Sequence, residues 1–189
     1  MNKTSSLIFA IAALLLVIVY FTPIWTIGLE APQYPEGIGL KIMISGIEGK
    51  KPNDLQSLNG LNHYIGMQKI NPESIVELKI MPYIILFFIV FGILIALVKK
   101  KILGWIWVGL FAMVGIVGLY DFYLWEFDYG HNLNPHAAIK VPGMTYQPPM
   151  IGSLQLLNFT ATSYPGIGGI VIGLAILIAV YALLMKKKS

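Results

Sequence analysis

Four uncharged apolar runs, at about residues 7–25, 81–98, 102–120 and 167–185, limit what this chain can fold into more than any other feature. Each approaches or exceeds the ~20 residues with which a helix, rising about 1.5 Å per residue, crosses a hydrocarbon layer of about 30 Å. With 57% of its 189 residues hydrophobic, the class follows from these runs rather than from length. The expected fold is an all-α membrane protein of four transmembrane helices, a single membrane domain over 1–189, carrying a small mixed helix and strand extracytoplasmic cap. Two segments remain to build that cap, about 26–80 and 121–166.

Lysine sets the expected orientation, because the chain has no arginine. With four spans, Lys3, the Lys99 to Lys101 run and the Lys186 to Lys188 run fall on one side, and short basic clusters beside spans favour the cytoplasm. All nine acidic residues then fall on the opposite side or at its interface. This predicts a multi-pass protein of the bacterial inner membrane with cytoplasmic N- and C-termini. The net charge of +4 belongs to these anchors and argues against a nucleic-acid partner, whereas the runs require membrane lipid. The first run also starts like a signal peptide, but no small-x-small cleavage site precedes Thr22-Pro23, so retention as a span is expected. The centres of the four runs lack ionisable residues, which argues against a proton relay or ion path. Gly169 and Gly173, and the glycines of the third run, permit close helix contact.

In the first cap segment, Leu40, Ile42 and Ile44 alternate with Lys41, Met43 and Ser45, the period of a strand with one covered face. Asp54 is placed to cap a helix in which Leu55, Leu58, Leu61 and Ile65 recur every three or four residues, and Gly66 stops it. Asn71-Pro72 signals a second helix start, and Pro82 predicts a kink unless the span begins there. The second segment opens with alternating acids and aromatics, Asp121 to His131, and continues rich in proline, which suits ordered irregular chain more than helix. Within it, 154–160 reads as a short strand and Ser163-Tyr164-Pro165 as the cap and first turn of the last helix.

No hydrolase constellation, phosphate loop, dinucleotide site or haem-attachment motif is present, and without cysteine there is no thiolate or disulfide. No enzymatic activity is expected of the chain alone. What remains is imidazole, thioether and carboxylate in the cap. His63 and Met67 are four apart, His131 and His136 flank a turn at Asn134-Pro135, and Met144 and Met150 bracket a proline-rich loop. Thioethers favour Cu(I), and imidazole accepts copper in both oxidation states. These six residues are the candidate copper ligands, against the plainer reading that the methionines pack and the histidines sit on the surface. Asp121, Glu126 and Asp128, with Trp125 among them, are candidates for quinone or partner docking, or simply keep a loop beside the membrane wet.

The stretch Asn59-Gly-Leu-Asn-His-Tyr-Ile-Gly-Met67, with Leu29-Glu-Ala-Pro-Gln-Tyr-Pro-Glu-Gly37 and His131-Asn-Leu-Asn-Pro-His136, resembles small polytopic membrane proteins encoded beside nitrous-oxide reductase genes in Bacteroidota and related bacteria. The resemblance implies an inner-membrane setting facing a periplasmic copper reductase, and it transfers no catalytic residues. The expected function is an accessory or maturation factor for a periplasmic copper-dependent respiratory enzyme, nitrous-oxide reductase above all, acting by partner docking and transient copper handling. Two alternatives stand beside it: a membrane anchor or quinone-facing subunit of an electron-transfer assembly, joined to other membrane subunits, and a purely structural scaffold. The chain departs from a self-contained metallochaperone, having no Cys-x-x-Cys pair, and from a self-contained transporter, having a featureless membrane interior.

Overall fold

In a computed structural model that describes residues 1–185, the chain runs through five helices and five strands. Helix α1 (Lys3–Leu15) continues as a 3-10 turn (Leu16–Tyr20) and leads into strands β1 (Trp25–Ala31), β2 (Tyr34–Met43) and β3 (Gly46–Gly49). Helix α2 (Asp54–Ile65), a 3-10 turn (Pro72–Ser74) and the long helices α3 (Val76–Val98) and α4 (Lys101–His131) follow. The chain closes with β4 (Gly152–Leu156), β5 (Phe159–Pro165) and α5 (Ile167–Leu184). Four helices, namely α1 with its extension, α3, α4 and α5, are long and apolar enough to cross a membrane. The Lys186 to Lys188 run lies outside the described residues.

The all-α expectation is overturned by a five-stranded antiparallel sheet in the order β3-β2-β1-β5-β4, so the protein is mixed α and β. The cause is visible in alternation. Trp25, Ile27, Leu29 and Ala31 face one way, with Thr26, Gly28 and Glu30 between them, which is the period of a strand. Trp25 therefore begins β1 and does not end the first span. Likewise Leu154 to Thr160, read as one strand, spans the hairpin of β4 and β5, and Ser163-Tyr164-Pro165 closes β5 while Gly166 precedes α5.

The bundle and the cap have separate cores. In the bundle, Phe9 of α1, Phe88 of α3 and Trp107 and Phe111 of α4 meet edge to face or tilted, with ring centroids 4.4–5.7 Å apart. Small residues set the closest approaches: a Cβ on Gly92 would stand 2.5 Å from that of Ala13. Gly104 meets Leu183, whereas Gly109, Gly115, Gly118 and Gly173 face open space. At the lysine end the Met1 ammonium donates to the carbonyl of Lys99 at 2.6 Å, and the Ser5 and Ser6 hydroxyls donate to the carbonyls of Ala182 and Ala96. The N-terminus, the α3–α4 turn and the end of α5 thus share one end of the bundle.

The sheet occupies the other end. Its inner face, with Trp25, Ile38, Leu40, Ile42 and Ile47, is covered by Leu58 of α2, Ile70, Leu78 and Tyr129 of α4. Helix α4 has 31 residues, a length of about 46 Å, well beyond the hydrocarbon thickness of about 30 Å. Residues up to about 120 suffice by length and composition to cross; those from 121 to 131 stand beside the sheet, where Phe122 meets Trp25 at 5.3 Å. That stretch was expected to be irregular. It is helical because Phe122, Trp125 and Tyr129, spaced three and four, form a stripe that the sheet buries.

Helix α2 also starts differently from expectation. Asp54 is its first residue rather than its cap, following Asn53 in the left-handed region at φ 70°. The buried Asp54 carboxylate accepts from the backbone N–H groups of Gly39 at 2.9 Å and Lys51 at 3.1 Å, which ties the helix start to β2.

Candidate functional site

Three groups of residues in the cap carry polar chemistry. The first lies along α2. Gly66, at φ 84°, ends that helix and turns the chain back beside it, a conformation that glycine adopts without steric cost. The returning segment is stitched down by Asn59, whose side chain donates to the carbonyl of Ile70 at 3.1 Å and accepts from its N–H at 2.7 Å. Asn62 donates to the carbonyl of Gln68 at 3.2 Å. The result is an open groove of about 820 Å³, whose lining includes Gln56, Gly60, His63, Met67 and Lys69. His63 and Met67 therefore share one groove, as their spacing allowed.

The second group is the turn from His131 to His136. The exposed His131 ring stacks on Phe127 with centroids 4.0 Å apart, and its Nδ1 is 3.0 Å from the Phe127 carbonyl. A hydrogen on Nδ1 satisfies that contact and leaves Nε2 as an outward acceptor. Asn134 donates its N–H to the carbonyl of Gly66 at 2.8 Å and Ile139 to that of Tyr64 at 2.9 Å. The Asn134-Pro135 turn thus satisfies carbonyls at the end of α2 that the helix leaves open. His136 is exposed, its N–H bonded to the Asn134 side chain at 2.9 Å. Among the described residues no three histidine or acidic side chains gather to hold a metal. Met144 and Met150 are half-buried in the chain between α4 and β4 and do not line the α2 groove.

The third group is the acidic end of α4. Asp121 and Asp128 are exposed, and Asp128 accepts from Gln68 at 3.3 Å and Asn132 at 3.4 Å. Trp125 and Glu126 turn inward. Trp125 lies against Tyr129 with ring centroids 4.4 Å apart. Glu126 has 0% of its surface exposed, and neither carboxylate oxygen has a hydrogen-bond partner among the described residues. The indole N–H of Trp125 and the hydroxyl of Tyr146 are likewise buried and unpaired. Tyr146 belongs to the segment that covers this helix face: its N–H donates to the carbonyl of Gly130 at 3.0 Å, and a Cβ on Gly130 would stand 2.5 Å from the backbone of Gln147. Burial without compensation pushes the Glu126 carboxyl up to about 8.

Reading the sequence one residue at a time missed Gln56 and Lys69 as groove residues, and Gly130 and Tyr146 as the seal over Glu126. The signal for the seal was present as helical spacing, since Phe122, Glu126 and Gly130 are each four apart and share a face. No protein-family model, curated protein or solved structure matches the chain, so these three groups are read from their own geometry.

Proposed function

We propose that this chain is an accessory protein of the bacterial inner membrane whose cap, on the periplasmic side, docks a copper-dependent respiratory enzyme, nitrous-oxide reductase, through the groove along α2. The observation that carries the reading is the pairing of an imidazole and a thioether, His63 and Met67, in one open groove beside the amide of Gln56 and the ammonium of Lys69. Such a donor pair suits a soft cation such as Cu(I). It is half of a ligand set, which fits transient handling in which the partner supplies the remaining donors. The sidedness rests on Lys3 and Lys99 to Lys101, gathered at the bundle end opposite the sheet. His131 and His136 are not among the residues that line this groove.

Gly60 lines the groove, and a Cβ there meets nothing within 4 Å. Gly60→Trp therefore fills the docking site without disturbing the helix that carries it. In mild-detergent purifications from native membranes, wild type retains the copper reductase and Gly60→Trp loses it. Purified apart from the reductase and loaded with Cu(I), the wild-type chain is expected to hold copper by elemental analysis and His63→Ala with Met67→Ala to hold none. Equal recovery of the reductase with wild type and Gly60→Trp would overturn the docking reading.

A further inference from the structure

The interior carboxyl of the cap is a separate feature from the groove. Glu126 is the only glutamate of the chain that is buried; Glu30, Glu36, Glu48, Glu73 and Glu77 are all exposed. It sits one helical turn below Gly130, on the face that the chain from about 144 to 150 closes. That cover is held by a backbone hydrogen bond at Tyr146 and by a contact at Gly130 too tight for any side chain. Behind it, Tyr146 stacks on Phe159 of β5 with centroids 6.3 Å apart, so the cover is also wedged against the sheet. An ionised carboxylate without a partner in such a place is strongly disfavoured, and a neutral acid is tolerated. The ligand small enough to reach a carboxyl with no exposed surface is a proton.

We propose that Glu126 is a proton-binding site: the cap closes over its neutral carboxyl group, and release of that proton loosens the 144–150 segment from α4. The buried titratable groups on the elements that meet there are the phenols of Tyr129 on α4 and Tyr146 on the cover, whereas Tyr120, Tyr123 and His131 of α4 and Tyr164 of β5 are exposed, and Ser163 on β5 is engaged with Trp25 at 2.7 Å. The charged side chains of those elements, Lys101 at the far end of α4, Asp121 and Asp128 on α4 and Lys140 before the cover, are exposed. Glu126 therefore has no counter-ion to hold it ionised in the closed state. The opposite holds once the segment lifts and water reaches the carboxyl. Acid closes the cap and alkali opens it, so the protein responds to the pH of the compartment that the cap faces.

Native-state hydrogen exchange of the full chain in lipid nanodiscs tests this at the amide of Tyr146, corrected for the intrinsic pH dependence of exchange. The opening constant is expected to rise about tenfold per pH unit below the titration, the slope that one released proton gives, and to level off above about 8. In Glu126→Gln the constant is independent of pH. A pH-independent wild type, or the same slope in Glu126→Gln, would overturn the proposal. Should Glu126→Gln fail to fold, infrared spectra of wild type labelled with 13C-glutamate decide alone, because the other five glutamates are exposed. They are expected to show a protonated carboxyl band at neutral pH that vanishes with a midpoint of about 8, and its absence at pH near 6 would sink the idea.

Discussion

At the scale of single residues, the cap concentrates its cost and its tightness at one place on α4. Glutamate titrates near 4.5 in the unfolded chain and about 8 in the folded one, so the folded state holds the proton more tightly. Stability is then greatest in acid, falls as pH rises from about 4.5 to about 8, and is level beyond. A displacement of that size corresponds to roughly 4–5 kcal/mol at most. Glu126→Gln is expected to raise the cap's unfolding temperature at alkaline pH and to leave it nearly unchanged in acid, as followed by near-UV circular dichroism. Gly130→Ala drives a methyl group into the backbone of Gln147, and is expected to lower cap stability by about 1–3 kcal/mol. Asp54→Ala strands the buried N–H of Gly39 and frees the part-buried N–H of Lys51, at a cost of about 1–3 kcal/mol for the buried donor left unpaired. None of this was legible in composition. Acids interleaved with aromatics suggest a wet loop until the helical period is laid over them, and then one acid falls on the covered face while Asp121 and Asp128 fall outside it.

At the scale of elements, legibility followed the strength of the local period. Helix α2 was readable because Leu55, Leu58 and Leu61 mark one stripe that packs on the cap core and Gly66 ends it. The Asn71-Pro72 signal was only partly readable: the Asn71 side chain accepts from Glu73, as a cap should, but it starts a 3-10 turn over Pro72–Ser74 that extended Ile75 separates from α3. Strand β1 was hidden because its first residue, Trp25, follows an apolar run closely enough to pass for an interfacial aromatic. The β4–β5 hairpin was hidden by its turn. Leu157 there stands at φ 56°, a left-handed conformation that costs a side chain such as leucine about 1–2 kcal/mol. Nothing in the sequence marks a leucine as a turn residue, since two-residue hairpins favour Asn-Gly or Asp-Gly. Leu157→Gly is therefore expected to stabilise the hairpin, by up to about 1 kcal/mol once the added freedom of the unfolded chain is counted. Slower hydrogen exchange across β4 and β5 would show it, and faster exchange would mean that the exposed leucine is held by contacts worth more than its strain.

At the scale of the whole molecule, the two cores touch through few residues, with Ile24 packed against both. The membrane-length helices satisfy their own backbone groups, whereas the cap core depends on long-range pairing. Leu40→Ala in the cap core, where Leu40 is 2% exposed, should cost about 2–4 kcal/mol and melt the sheet while helical circular dichroism stays near its native value. Loss of both signals together would show that the cores unfold as one. The four helices were plain from hydropathy, and the sheet that joins them was not, because its centre pairs segments from opposite ends of the chain. Residues 25–30 of β1 lie against 160–165 of β5. In the order in which a ribosome delivers this polypeptide, β1, β2 and β3 emerge early as a meander whose β1 edge has no neighbour. Its mate arrives only after α3 and α4 have been threaded. During that interval the newborn protein carries an open sheet edge, whose backbone groups stay unpaired until β5 arrives.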